Sequence, residues 1–406
     1  MTTLPGAPAP PGTTTAETVP APAPPGPTTS TVPTPAPARA LAPDLARGVM
    51  LLAIGFAHAP LFVTSVDRGP AVANAIADLF HVLFVGNHAR PMFAFLFGYA
   101  LVQLLDRRLA RGESWVSARK LLRRRGWWLM AIGFAHTVAL VPIDILAVYG
   151  FGAVLLTGLL RRGDRALLWT AGLTLIPATA VIGAVLWFPL SQGVSTYTKG
   201  SVAAGARGFG ELLVERTLVW PFSVLSVIVT VVPGIALGMW AARRRILDEP
   251  ERHRSLLIRF AVISTTLSVA GGLPAGLLQI GVWNGAPDAA VWAAAMAQPL
   301  TGYAGGIGMA ALVALVAIRA SRSRGRLTTM VEALGQRSMT FYLFQSVVFV
   351  LVFYPYGLGL QDDLGLAAAT GVAALTWLGS LVLADVMRRV RHRGPAEILL
   401  RRLAYR

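Results

Sequence analysis

The sequence predicts an all-α fold: a polytopic transmembrane helical bundle of about ten spans with both termini cytoplasmic. Three observations carry this: the composition, the recurrence of long apolar runs, and the placement of basic residues between them. Of 406 residues, 55% are hydrophobic and only 14% charged, against about 25% charged in an average soluble domain. The chain has too little polar residue to cover a soluble surface of its size. Cysteine is absent, which excludes a disulfide framework, a thiolate zinc site and a cysteine nucleophile. A formal charge of +17 would suit nucleic acid only if gathered on one soluble face. Here it falls in short clusters between apolar runs, so it reads as membrane topology and no nucleic-acid partner is expected.

Residues 1–43 form a separate tail rich in Pro, Ala and Thr. Such a stretch cannot bury enough apolar side chain to offset its ordering entropy, so disorder is expected. It lacks the basic start and apolar core of a signal peptide; a passive tail and a spacer for a partner both fit. The membrane domain is expected over 44–406. Runs long enough for roughly 30 Å of hydrocarbon recur near 46–66, 82–105, 126–142, 143–160, 166–188, 219–241, 257–282, 290–318, 330–354 and 364–387. The third and fourth meet in a tight outer hairpin at Val141-Pro142. With the amino terminus inside, the cytoplasmic segments hold every Lys and Arg except Arg68, Arg90, Lys199, Arg207, Arg216 and Arg337, as the positive-inside rule requires. The sizeable outer segment at 189–218 reads as part loop and part amphipathic helix. Gly234 with Gly238, and Gly302 with Gly306, have the spacing that lets helices approach closely, and packing explains them.

The most informative local feature is a near-duplicate. Residues 47–58 read RGVMLLAIGFAH and 125–136 read RGWWLMAIGFAH, identical at nine of twelve positions. Each opens a helix running outward, and in each a His follows an Arg by eleven residues. That spacing is a net rotation of about 20° and a rise of roughly 16 Å, so Arg and His share a face. Arg47 and Arg125 then lie at the inner boundary, and His58 and His136 past the membrane centre. Polar side chains at that depth face a bundle interior or a wet cavity, and imidazole is suited to moving protons near neutral pH. Simple interhelical hydrogen bonding accounts for the same pattern.

Other polar groups fall near these two. Asp44, one turn before Arg47, is placed to pair with it or to cap the first helix. Asp144 follows the hairpin, with Tyr149 beyond it, and is placed to orient His136. Ser338, Tyr342 and Gln345 share one helical face, fitting either interhelical hydrogen bonds or ligand contact. His81 and His88 flank the second span near Arg90, where a surface role is expected; His253 and His392 lie in basic loops. No Walker-type phosphate loop and no His-Glu-x-x-His signature occurs, so no metal site and no ATP-driven pump is expected.

Five segments in order, DLARGVMLLAIGFAH, PMFAFLFGYAL, HTVALVPIDILAVYG, GQRSMTFYLFQS and RHRGPAEILLRRLAY, resemble the YeiB-like bacterial integral membrane family, a domain of unknown function. The resemblance covers 44–406. Its more specific parts are Asp-Ile-Leu-x-x-Tyr, Tyr-Leu-x-Gln-Ser and the Gly-Pro-x-Glu ending. That family is similar to the transmembrane acyltransferase superfamily, whose bacterial O-acetyltransferases open with Arg, ten residues and His, as Arg47 to His58 do. The last motif has Gln345 where those enzymes often place His.

The resemblance implies a multi-pass protein of the bacterial plasma membrane that moves an acyl group from acyl-CoA, a co-substrate rather than a tightly bound cofactor, to a hydroxyl or amine acceptor. His58 would be the general base, His136 would assist it or hold the acceptor, and Asp144 would orient His136. Arg47, Arg123, Arg124 and Arg125 would meet the CoA phosphates, and Tyr149, Ser338, Tyr342 and Gln345 would line the substrate cavity. A transporter or flippase of a small amphipathic solute fits the same polar stripes, and a noncatalytic scaffold using the tail is a third reading.

Overall fold

A computed structural model describes residues 40–142, 144–197 and 209–405, with a few positions near the amino terminus. The tail expected to be disordered lies almost wholly outside the described residues, as do Lys199 and Arg207. Every regular element described is helical. Helix α1 (Leu41–His58) continues into a tighter turn at Ala59–Phe62. It starts slightly ahead of the expected boundary, taking Pro43 and Asp44 into its first turns. Next come α2 (Ala71–Phe80), a wide turn at His81–Val85, α3 (Ala89–Leu109) and α4 (Trp115–Ala139). Helix α5 (Leu146–Leu156) ends in a tight turn at Thr157–Arg161 and precedes α6 (Asp164–Ser191). Then follow α7 (Phe209–Ile228), α8 (Val232–Arg243), α9 (Arg254–Gln279) and α10 (Asp288–Arg322). The chain closes with α11 (Arg326–Gly335), α12 (Ser338–Phe353), α13 (Leu366–Arg389) and α14 (Pro395–Tyr405).

Among the described residues, five helices are long and apolar enough to cross a membrane: α1 with its extension, α6, α9, α10 and α13. Two bent pairs raise this to seven if each is one span: α7–α8, bent by 53°, and α11–α12, bent by 87°. The sequence expectation of about ten also counted α3, α4 and α5. All three form, but the apolar part of α4 begins only after Arg125, and α5 is 11 residues long before its geometry tightens. The run at 82–105 is not continuous either. It breaks at Gly86–His88, where Asn87 adopts a positive φ of 60°, and α3 starts afresh at Ala89.

The core is a shared interior, with Met50, Leu51, Met92, Leu96, Tyr99, Leu122 and Met239 almost fully enclosed. Small residues set the helix spacing. On α3 and α8 the closeness is reciprocal: a Cβ on Gly98 would strike the Ile235 carbonyl, and one on Gly238 would strike that of Phe95. Gly302 and Gly306 likewise receive Asn87 and the His88 carbonyl. All are packing contacts of the small-residue kind that brings membrane helices together.

The basic helix ends are tied into one end of the bundle. Arg243, closing α8, donates to the carbonyl of Leu160 at 2.9 Å and pairs with Asp164 at 3.2 Å, joining the ends of α5 and α6. Tyr99 and Gln103 of α3 donate to Asp248 at 2.8 and 2.7 Å. Arg108 lies 4.7 Å from the centre of the Tyr405 ring of α14. At the opposite end Arg216 is buried and donates to the Leu140 carbonyl at 3.0 Å and to the Tyr354 hydroxyl.

The 87° break between α11 and α12 is closed by the carboxy-terminal segment. Breaking a helix frees carbonyls on one side and N–H groups on the other, and at membrane depth protein must satisfy them. Buried Arg337 donates to the Ala333 carbonyl at 2.9 Å and to that of His392 at 2.8 and 3.0 Å. Glu397 accepts from the Met339 and Thr340 amides at 2.8 and 3.2 Å and from the Thr340 hydroxyl at 2.5 Å. The Gly-Pro-x-Glu ending is thus a cap for α12. Glu397→Ala is expected to cost about 1–3 kcal/mol by orphaning these donors, read as a lowered thermal midpoint in detergent, with Glu397→Gln retaining part of it.

Candidate functional site

The two repeated helices bring their histidines to the end of the bundle opposite the basic clusters, and α12 meets both. The Tyr342 ring centre is 6.2 Å from that of His58 and 5.1 Å from that of His136. Sequence identity ends there, because the partners differ.

His136 is fully engaged. Its Nδ1 lies 3.0 Å from Asp144 Oδ1, both side chains being almost wholly buried; this is an ion-pair separation without the alignment of a hydrogen bond. Its Nε2 lies 2.8 Å from Ser346 Oγ. The other carboxylate oxygen of Asp144 accepts the Ala147 amide at 2.6 Å, closing the first turn of α5. The approach depends on a glycine of the repeat: a Cβ on Gly133 would occupy the space of Asp144 Oδ2 and the Ala147 amide nitrogen. At the matching place on α1, a Cβ on Gly55 would meet only ordinary contacts with Ala373 and Gln345.

His58 is half-buried, and among the described residues neither ring nitrogen has a protein hydrogen-bond partner. Its electrostatic neighbours are His136, Asp144 and Arg90. Arg90 begins α3, and its charge also acts on Tyr149 and Tyr303. No described side chain or carbonyl bonds its guanidinium. Its main chain, in contrast, is fixed. The Tyr149 hydroxyl donates to the Arg90 carbonyl at 3.2 Å, and the Tyr149 ring stacks on Phe93 and Phe97 at 4.7 and 5.1 Å.

The structure brings together His58, His136, Asp144 and Tyr342. Tyr149 is enclosed and braces α3. Gln345 is buried, donates to the Leu51 carbonyl at 3.1 Å and leaves its Oε1 unpartnered among the described residues. Ser338 stands apart, as the first residue of α12 at the break. Arg47 lies in the first half of α1 and Arg123, Arg124 and Arg125 near the middle of α4, roughly 16–20 Å of helix rise from the histidines. Arg47 pairs with Asp44 at 3.0 Å, one of the two roles foreseen for that carboxylate.

Two residues were undervalued by sequence reasoning. Ser346 belongs to the quoted Tyr-Leu-x-Gln-Ser segment, and its i+4 position from Tyr342 was the available signal. Arg90 had been grouped with surface residues. His81 and His88, expected at the surface, are 1% and 3% exposed. His88 is held between the Gly86 carbonyl and the Ser268 hydroxyl, so it braces the chain break before α3.

Comparison with known proteins places the chain among relatives. The model of the family described as "Protein of unknown function (DUF418)" matches residues 241–406. The chain is 25% identical over 366 residues to "Uncharacterized protein YxaH" of Bacillus subtilis (strain 168), covering 84% of each. It is 25% identical over 351 residues to "Uncharacterized protein YeiB" of Escherichia coli (strain K12), covering 78% of this chain and 81% of that one. The YeiB-like resemblance of the motifs thus holds over most of the length. Residues 241–406 of this multi-pass membrane protein match the DUF418 family model, and most of the chain is distantly similar to bacterial YxaH and YeiB.

Proposed function

We propose that the protein is an acyltransferase of the bacterial plasma membrane, taking an acyl group from acyl-CoA to a hydroxyl or amine acceptor. The observation that carries this reading is His58: a half-buried imidazole that, like the Arg90 guanidinium whose charge acts on it, has no hydrogen-bond partner among the described residues. A base that must take a proton from substrate needs a ring nitrogen open to it, and those of His136 face Asp144 and Ser346. His58 removes the acceptor's proton as that atom attacks the thioester carbonyl. Arg90 donates to the oxyanion that develops there, and the carbon–sulfur bond breaks with the proton passing to the CoA thiolate. His136, held by Asp144 and Ser346, fixes the wall on which Tyr342 and His58 rest.

In this reading the basic end is cytoplasmic, as positive-inside placement requires, and both termini lie there. Exposed Arg123, with Arg124 and Arg125, meets the CoA phosphates, and about ten helices cross or dip into the bilayer. The two bent pairs favour one rival, since transporters place substrate at broken helices. The α11–α12 break, however, is filled by Arg337 and Glu397. Purified protein should be stabilised by acetyl-CoA and release CoA when an acceptor is supplied. Ion-gradient-dependent solute movement with no CoA binding would favour the transporter.

A further inference from the structure

A second polar cavity lies where the wide turn after α2, the ends of α6 and α9, and α10 come together. It has about 340 Å³ of empty volume, part of it open, and His81, Asn87, Thr196, Tyr197, Gln279 and Gln298 supply its polar lining. Among the described residues no Lys or Arg lines it.

Most of the polar groups there are already used. His81 bonds the Tyr197 hydroxyl at 3.0 Å and that of Thr370 at 2.9 Å, so both ring nitrogens are taken. Gln298 donates to the Val82 and Gly86 carbonyls at 3.1 and 3.0 Å, and its oxygen accepts from Asn87 at 2.5 Å. Gln279 donates to Asp78 and, at 3.4 Å, to Ser195.

Apart from the Thr196 hydroxyl, what is left over among the described residues is mainly acceptors. Among the described residues the Oε1 of Gln279, a residue 5% exposed, has no partner. Among the described residues Asn87 Oδ1 accepts nothing. One hydrogen bond behind Gln279 stands Asp78, 7% exposed and bonded to Ser195 at 3.0 Å, with no cation paired to it among the described residues. A buried carboxylate without a positive partner is costly, and orphaned acceptors call for a donor.

We propose that this cavity binds the ammonium group of a small primary amine, with the amide oxygens of Gln279 and Asn87 accepting its protons and Asp78 supplying the counter-charge. The chemistry is that of an ethanolamine-type group, which a free amine or a lipid headgroup can present. The inference does not rest on the acyl-transfer reading, and none of its probes carries a transferable acyl-CoA.

The test uses the purified full-length protein with ethanolamine and its neutral isostere ethylene glycol, read by calorimetry and thermal shift. Ethanolamine should bind at least about tenfold more tightly. Asp78→Asn should erase that preference, and Gln279→Leu should weaken it, in protein that still elutes as a folded species. In nanodiscs, phosphatidylethanolamine blocking ethanolamine binding where phosphatidylcholine does not assigns the headgroup as source. Unblocked binding in both assigns a free amine. Equal affinity of the wild type for the two probes overturns the proposal, as does undiminished discrimination by folded Asp78→Asn.

Discussion

Replacing His58 with alanine is expected to lower acyl transfer by about 10²–10⁴-fold, the usual contribution of a histidine base. Insertion and thermal midpoint should stay near those of the wild type. The separation of the two effects follows from the geometry. His58 makes no protein hydrogen bond among the described residues and is half-buried, so its removal orphans nothing. His136→Ala is the contrasting case. It leaves Asp144 buried without its imidazole neighbour and Ser346 without Nε2, and orphaning a buried polar group costs about 1–3 kcal/mol. Loss of activity in that variant would therefore be read first as loss of structure. CoA release by purified wild type and His58→Ala, normalised to folded protein, decides the matter. Equal rates would remove His58 from the chemistry.

The contrast between the two histidines also shows where sequence information stops. The repeat makes α1 and α4 nearly identical over the relevant turns, and helical periodicity puts each His on the face of its Arg. What differs is supplied by other elements. Asp144 reaches His136 because Gly133 leaves room for it, whereas α1 turns Gly48 against Val331 of α11 and Gly55 toward α13. No local pattern encodes that difference. The long spans α6, α9, α10 and α13 were legible because continuous apolar sequence has few other solutions in a bilayer. The bent pairs were not, because hydropathy averages across a break whose caps come from far along the chain: Arg337 reaches His392, and Glu397 reaches Met339. The Gly-Pro-x-Glu ending was visible as a motif, but its role as a helix cap needed the fold.

Arg90→Gln should lower turnover by about 10²–10³-fold, the loss seen when one donor to a developing oxyanion is removed. The sequence grouped Arg90 with outer surface residues, since one basic residue ahead of an apolar run reads as a boundary marker. Its setting says otherwise. The backbone is anchored through Tyr149, the guanidinium is left without a described partner, and its charge acts on His58. An arginine with only a structural duty would be spent on carbonyls, as Arg216 and Arg337 are. Arg90→Lys keeps the charge but loses the planar fork, so it should fall between wild type and Arg90→Gln. The kinetic pattern separates the mechanisms. If Arg90 acts on the transition state, turnover falls with little change in KM. If it only gathers an anionic solute for passage, KM rises and the maximal rate holds. Measured against His58→Ala, whose loss should likewise appear in turnover, a KM effect confined to Arg90 would move the guanidinium out of the reaction and into a transport path.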